Sequence, residues 1–583
     1  MTAPTGGPDS TAPAPVPAFE PPARLADPRW GLFALIVALL AIAASATSLR
    51  NGFTYDDRWI ILENGRVHGV RALWHYFEES YWPMKSGAAL YRPLIILVYA
   101  VQWTLGDGSP LVFHIVNVLL AATCAVAVFW VAGFLVPIGA AFLAGALFAV
   151  HPVHVEAIAN VVGQAELWAA LIVLLCFGLY ARDRREGELR RETGLAIWFL
   201  FSVGLFFKEH VIVLPALLVA AEVLLFEDGT VWKRLDRLRL LLWPMVIVVA
   251  AYLAMRVRVV GAVGGDVEHP ALHNSTAVGR MFMMLNVVPE YGRLLLWPAR
   301  LLADYSPRQL MVYAQPDPSQ ITGVILLVCA VLTFAISVRI ARPVAFALAW
   351  FVLLIGPVTN VLIPTGILLA ERTLYLPSVG ALIALAYGIT LVEARLRDEH
   401  SPLRRAVPLI CAVALVLGVV RSSTRNAFWH DSDSAFTQMV DEEPMSFKAH
   451  YAWGGQLFEK KKGKEGELEW HLAIALMPEY YGVYMDLAHK YREAHLCGAA
   501  IPLYQKALAI EPDLPIGRVA IAACQLELAQ WRRSRSTSRE AIANGEYRKA
   551  FIFMIGRADS ALVATDSLDP TIGAKWLAAR RAK

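Results

Sequence analysis

Charge is what this chain has least of. Asp, Glu, Lys and Arg make up 17% of its 583 residues, where a soluble protein carries about 25%. Apolar residues reach 57%, above the roughly 45–50% of a soluble chain, so the composition marks a membrane protein. A net charge of +4 is small for this length and excludes nucleic acid as an expected partner. Cysteine is scarce too. The six Cys lack metal-type spacing and four sit in apolar runs, which argues against a zinc site and against a disulfide framework. Cys497 and Cys524 alone fall in the more polar C-terminal part. They would pair only if that part lies outside the cytosol, and otherwise read as small buried residues. No clean cleavage site follows the first apolar stretch, 30–49. At about 20 residues it is long enough to span a bilayer, so it reads as a retained helix rather than a signal peptide.

What the chain does have is a series of apolar segments divided by basic clusters. Residues 1–29, rich in Pro, Ala, Gly and Thr, read as a disordered tail. Apolar segments follow at 30–49, 111–135, 138–150, 165–181, 194–207, 211–226, 240–258, 321–339, 343–362, 374–394 and 406–421. Arg and Lys cluster at 24–29, 182–191, 233–239, 339–342 and 395–405, and the positive-inside rule assigns all of these to the cytosol. An inside N-terminus with eleven crossings satisfies every cluster and puts the C-terminus outside. The stretch 91–105 must then be a re-entrant or surface helix, because a further crossing would invert each later basic loop.

This topology gathers unusual polar residues on the outer face. Asp56 and Asp57 lie in Phe53-Thr-Tyr-Asp-Asp-Arg-Trp59, just past the first span, where adjacent carboxylates near lipid point to chemistry rather than packing. Arg58 follows them and Arg92 lies in the same outer loop. His151, His154 and Glu156 occupy one outer turn, and Glu166 opens the next span. Lys208 and Glu209 interrupt a long apolar run, and Glu371, Arg372 and Tyr375 precede the tenth span. The competing readings are ordinary. Lys208 and Arg372 can snorkel to headgroups while Glu209 and Glu371 pair with them, and the aspartates can cap the helix beginning at Arg58. His151, His154 and Glu156 lack the helical i, i+4 spacing of a zinc protease, so a supporting or sugar-hydroxyl role is expected, with no metal. His114 and Asn117 share a helix face and line the cavity or bond neighbouring helices.

Beyond residue 428 the character changes. Pro444, Pro478 and Pro512 recur every 34 residues, as do Ala473, Ala507 and Ala541, and small residues recur at Gly454, Ala488 and Ala522. This is the tetratricopeptide pattern, in which stacked helix pairs form a groove for peptides or partner helices. The third repeat has Glu546 where the proline is expected. The fold class is therefore all-α: a multi-pass membrane domain over 30–425, then a repeat domain over 429–583 on the outer face.

The motifs resemble a family. Tyr55-Asp-Asp-Arg58, Tyr91-Arg-Pro-Leu94, His114-Ile-Val-Asn117, His151-Pro-Val-His-Val-Glu-Ala157, Phe207-Lys-Glu209, Arg293-Leu-Leu-Leu-Trp-Pro298 with Ala303-Asp-Tyr-Ser306, and Ala370-Glu-Arg-Thr-Leu-Tyr-Leu-Pro-Ser-Val-Gly380 stand in this order. Together with the repeats they resemble the transmembrane and tetratricopeptide-repeat O-mannosyltransferases, within the GT-C-like class of polytopic lipid-phosphate-sugar glycosyltransferases. The resemblance spans about residues 30–545. It departs from the family in a shorter repeat array and in Gln164, where Arg is expected.

The resemblance implies transfer of a sugar, mannose above all, from a polyprenyl or dolichyl phosphate to Ser or Thr hydroxyls. The residues suit that chemistry. An attacking hydroxyl needs a carboxylate to take its proton, a role for Asp56 or Asp57. A leaving lipid phosphate needs fixed cations, a role for Lys208 and Arg372. Inverting displacement requires no cofactor and no metal. Expected partners are the bilayer, the lipid-phosphate sugar and a protein acceptor in the repeat groove. Transfer to a glycolipid or surface glycan, and a non-catalytic scaffold or transporter, remain alternatives. The Ala/Arg/Pro-rich tail and short array favour a bacterial inner membrane with a periplasmic site. In a eukaryote the same topology means the endoplasmic reticulum.

Overall fold

A computed structural model describes residues 27–83, 90–261, 272, 275–306, 308–395, 402–512 and 514–541. Most of the expected tail 1–29, and Glu546, lie outside the described residues. Among the described residues all regular structure is helical.

Among the described residues, seven helical segments are long and apolar enough to cross a membrane: Arg29–Arg50, Pro110–Gly133, Val161–Glu186, Val231–Val260, Pro318–Ile340, Ser378–Arg395 and Ala406–Trp429. Ile138–Val150 and Pro152–Ala159, bent by 49°, pass the same test as a pair. All eleven expected segments are helical, but four of them are short. Ile138–Val150, Arg191–Phe207, Leu214–Leu224 and Arg342–Ile355 have 13, 17, 11 and 14 residues, where a straight crossing takes about 20. The reason is local. The first stops at His151-Pro152, the next two are parted by Lys208-Glu209, and the last stops at Gly356-Pro357. The first three runs end at the same breaks in the sequence, and only 343–362 reads through its break at Gly356-Pro357. The stretch 91–105 is the helix Pro93–Gly106, with proline at its first turn.

Pro110–Gly133 and Gln164–Glu186 form the centre of the bundle and bury most of their side chains. Small residues let them approach. A Cβ at Gly178 would lie 2.0 Å from the Trp130 ring, so only glycine fits there. Ile321–Ile340 is the opposite case, apolar all round yet exposed on nearly every side, as expected of a helix facing lipid.

From Ser432 on, seven short helices follow one another among the described residues. Six of them form three pairs whose first members begin at 447, 481 and 515, and whose second members begin at 463, 497 and 531. Both series advance by 34 residues. The turns between partners repeat at the same interval, with Lys461, His495 and Ala529 each at positive φ. Gly454 lets the first pair close, since a Cβ there would sit 2.4 Å from the Trp470 ring.

Candidate active site

The outer-loop residues meet at one end of the bundle. The segment after the first span is anchored by Gly52 N–H to the His430 carbonyl (2.7 Å) and by Thr54 Oγ1 to the Trp429 carbonyl (3.1 Å). Tyr55 then adopts φ +56°, a left-handed conformation unusual for a bulky side chain, and turns the chain into Asp56-Asp57. The two carboxylates end in different surroundings. Asp57 is fully buried and accepts the backbone N–H of Thr54 (3.1 Å), Val161 (3.2 Å) and Val162 (2.8 Å). Burial outweighs these donors and pushes its carboxyl up to about 7. Asp56 is half-buried, and its charge acts on Arg372, Tyr81 and Asp57.

Three cations lie around this pair, each with a carboxylate. Arg372 donates its backbone N–H to Glu156 Oε2 (2.8 Å), and its guanidinium pairs with Glu156 Oε1. Lys208 pairs with Glu166. Arg92 forks onto Glu209 through Nε (3.0 Å) and Nη2 (2.6 Å), with its guanidinium 5.3 Å from the centre of the Tyr81 ring. The pairs act on one another, for Glu166 is felt by both Arg92 and Arg372, and Arg92 by Lys208. Burial lowers Lys208 below the ordinary lysine value. Burial also opposes charge on Arg92 and Arg372, but Glu209 and Glu156 outweigh it and hold both above the usual arginine value. Asp56 thus acts on Arg372, and Glu166 links Arg372 with Lys208 and Arg92, an arrangement that can bind an anionic headgroup beside a proton acceptor.

Glu371, next to Arg372, points elsewhere. It accepts the Leu302 N–H (2.6 Å) and the Tyr305 hydroxyl (2.9 Å). The strap 301–306 continues to the C-terminal helices, where Glu443 accepts the Ala303 (2.5 Å) and Asp304 (3.1 Å) N–H groups and Ser446 Oγ donates to Asp304 (2.6 Å). Burial lifts Glu371 to about 8 and Glu443 to about 9.

Other candidates hold the scaffold. Asn117 donates to the Ile158 (3.0 Å) and Asn160 (3.3 Å) carbonyls and accepts from Gln164 (2.6 Å). His114 contacts the Gly52 carbonyl at 3.2 Å. His151 contacts the Leu295 carbonyl (3.0 Å), while His154 lies between the Phe148 carbonyl and Ser378 Oγ, each at 2.9 Å. Tyr375 is buried against Phe148 and His154. Arg58 pairs with Glu63 (2.5 Å) and, across to the C-terminal helices, with Glu459 (2.6 Å). Among the described residues no group of three or more His, Cys, Asp or Glu is arranged to hold a metal.

Two features escaped sequence reasoning. Gln164 is matched by Gln102, whose carboxamide exchanges hydrogen bonds with it at 2.7 and 3.3 Å, so a neutral amide network fills the place where Arg is expected. Asn160 is buried with both amide atoms unpartnered, directly before the Val161 and Val162 amides that hold Asp57. An orphaned buried amide costs stability, which its place beside the aspartates makes a functional signal. Its only sequence mark is an Asn in an apolar turn.

These features define a multi-pass membrane protein with a charged site at its helix ends. No protein-family profile matches the chain, but curated relatives do. It is 25% identical over 530 residues to protein O-mannosyl-transferase TMTC3 of Mus musculus, covering 85% of this chain and 56% of that one. It is 28% identical over 542 residues to protein O-mannosyl-transferase Tmtc1 of Drosophila melanogaster, covering 77% and 62%. These relatives carry the family name that the sequence motifs suggest. The chain spans little more than half the length of the curated relatives it matches. Among solved structures, the apo oligosaccharyltransferase of Archaeoglobus fulgidus aligns over 72% of this chain and 59% of that one. Its 14% identity and TM-score of 0.38 are too slight to carry an argument.

Proposed function

We propose that this protein is a membrane glycosyltransferase. It moves a sugar, mannose by analogy with its relatives' names, from a polyprenyl or dolichyl phosphate to Ser or Thr hydroxyls of exported proteins. The observation that carries this reading is Asp56 acting on Arg372 at one end of an apolar bundle, with Lys208 and Arg92 joined to Arg372 through Glu166. Asp56 takes the proton of the acceptor hydroxyl as its oxygen attacks the anomeric carbon. The carbon–oxygen bond to the lipid phosphate breaks on the opposite side, and the configuration inverts. Arg372, Lys208 and Arg92 receive the charge that develops on the leaving phosphate. Asp57 fixes the loop that presents Asp56.

The positive-inside pattern supports eleven crossings and an outward C-terminus. The 34-residue helix pairs support a tetratricopeptide domain, whose groove suits a polypeptide acceptor better than a glycolipid. The membrane is then the bacterial inner membrane, with the site facing the periplasm, or the endoplasmic reticulum membrane of a eukaryote. Mass spectrometry of exported glycopeptides tests the reading. Hexose on Ser or Thr should disappear from cells lacking the chain and from cells carrying only Asp56→Asn, and an unchanged glycopeptide profile in both would reject it.

A further inference from the structure

We propose that Cys497 and Cys524 form a disulfide in the mature protein, locking the second helix pair onto the third. Cys497 opens the helix Cys497–Ile510, and Cys524 lies in the following helix Pro515–Glu527. Both are buried in one apolar cluster with Ala500, Tyr504 and Ala520. Their Sγ atoms stand 2.7 Å apart, closer than two unbonded sulfurs rest and within about 1 Å of a covalent bond. The other four cysteines all belong to apolar membrane segments, so each member of this pair has the other as its one partner in this part of the chain. The sequence raises the pairing only as conditional on an outside location, and the packing brings the two thiols into contact.

The inference rests on placing the repeats outside the cytosol, where such bonds persist. Bond formation removes two protons and two electrons from the thiols. The electrons pass by thiol–disulfide exchange to an oxidised dithiol carrier protein, which leaves reduced. Burial raises both thiols above the ordinary cysteine value, so exchange occurs while these helices are still open.

The test uses the full chain in its native membrane. Free thiols are blocked with N-ethylmaleimide under denaturing conditions, the sample is reduced, and newly exposed thiols are tagged with maleimide-polyethylene glycol. Two tags are expected on the parent and none on Cys497→Ser or Cys524→Ser. In parallel, Lys464→Cys on the double-serine background is probed with a membrane-impermeant maleimide given access to the periplasm or lumen but not to the cytosol, which reports the side of the membrane independently. Outside labelling with no tags on the parent overturns the disulfide while keeping the topology. Labelling only once the cytosol itself is opened, again with no tags, overturns both. Two tags with inside labelling keep the disulfide and reject the outward placement.

Discussion

Asp56 and Asp57 are chemically alike and structurally unlike. Asp57 has three backbone donors, whereas Asp56 faces Arg372. Asp56→Asn should lower transfer by about 10²–10⁴-fold, the usual contribution of a general base, without lowering the melting temperature. Asp57→Asn should instead cost about 1–3 kcal/mol of stability, because an amide offers one acceptor oxygen to donors that had two. Peptide mannosylation and thermal melts of the solubilised protein separate the two, and parent-rate transfer by Asp56→Asn would remove the base assignment. Arg372 calls for a gentler change, since its removal would strand buried Glu156. Arg372→Lys keeps the charge and loses the planar fork, so the KM for the lipid-phosphate donor should rise about tenfold with the fold intact. Unchanged donor kinetics would return Arg372 to a structural role. The pair of aspartates was legible in the sequence, but their division of labour was not. It depends on Val161 and Val162, more than 100 residues further on.

At the scale of elements, the strap 301–306 ties Glu371 on one side to Glu443 and Ser446 on the other. Tyr305→Phe removes one hydroxyl that Glu371 accepts, and should lower stability by about 0.5–1.5 kcal/mol. A melting temperature equal to the parent's would show that this bond contributes nothing. The strap should also respond to pH. Glu371 and Glu443, at about 8 and about 9 against an ordinary 4.5, are held in their protonated form by the fold. Their contribution is complete below about pH 4.5 and is lost as the pH rises through 8 and 9. The parent's melting temperature should therefore fall from pH 6 to pH 9, and Glu443→Gln should flatten that fall. Sequence reasoning located Ala303-Asp-Tyr-Ser306 only as a motif. Its partners, Glu371 and Glu443, lie 69 and 140 residues away, beyond any local pattern. Helix positions were far more legible, because apolar runs and the 34-residue period are local signals. Helix lengths were less so where the run 343–362 read through the break at Gly356-Pro357.

For the whole molecule, the parity of the basic loops puts the C-terminal helices on the same side as Asp56. A reporter fused after residue 583 should be active only outside the cytosol, and cytosolic activity would reject this topology. The charged end of the bundle also has a consequence for turnover. Arg372, Lys208 and Arg92 stand already neutralised by Glu156, Glu166 and Glu209. On the proposed reading, an arriving phosphate must trade places with a carboxylate rather than dock on a bare cation. Binding by such exchange is shallow in free energy and readily reversed. In that reading the displaced glutamates act as a return spring, reclaiming their cations once the sugar has left and releasing the spent carrier.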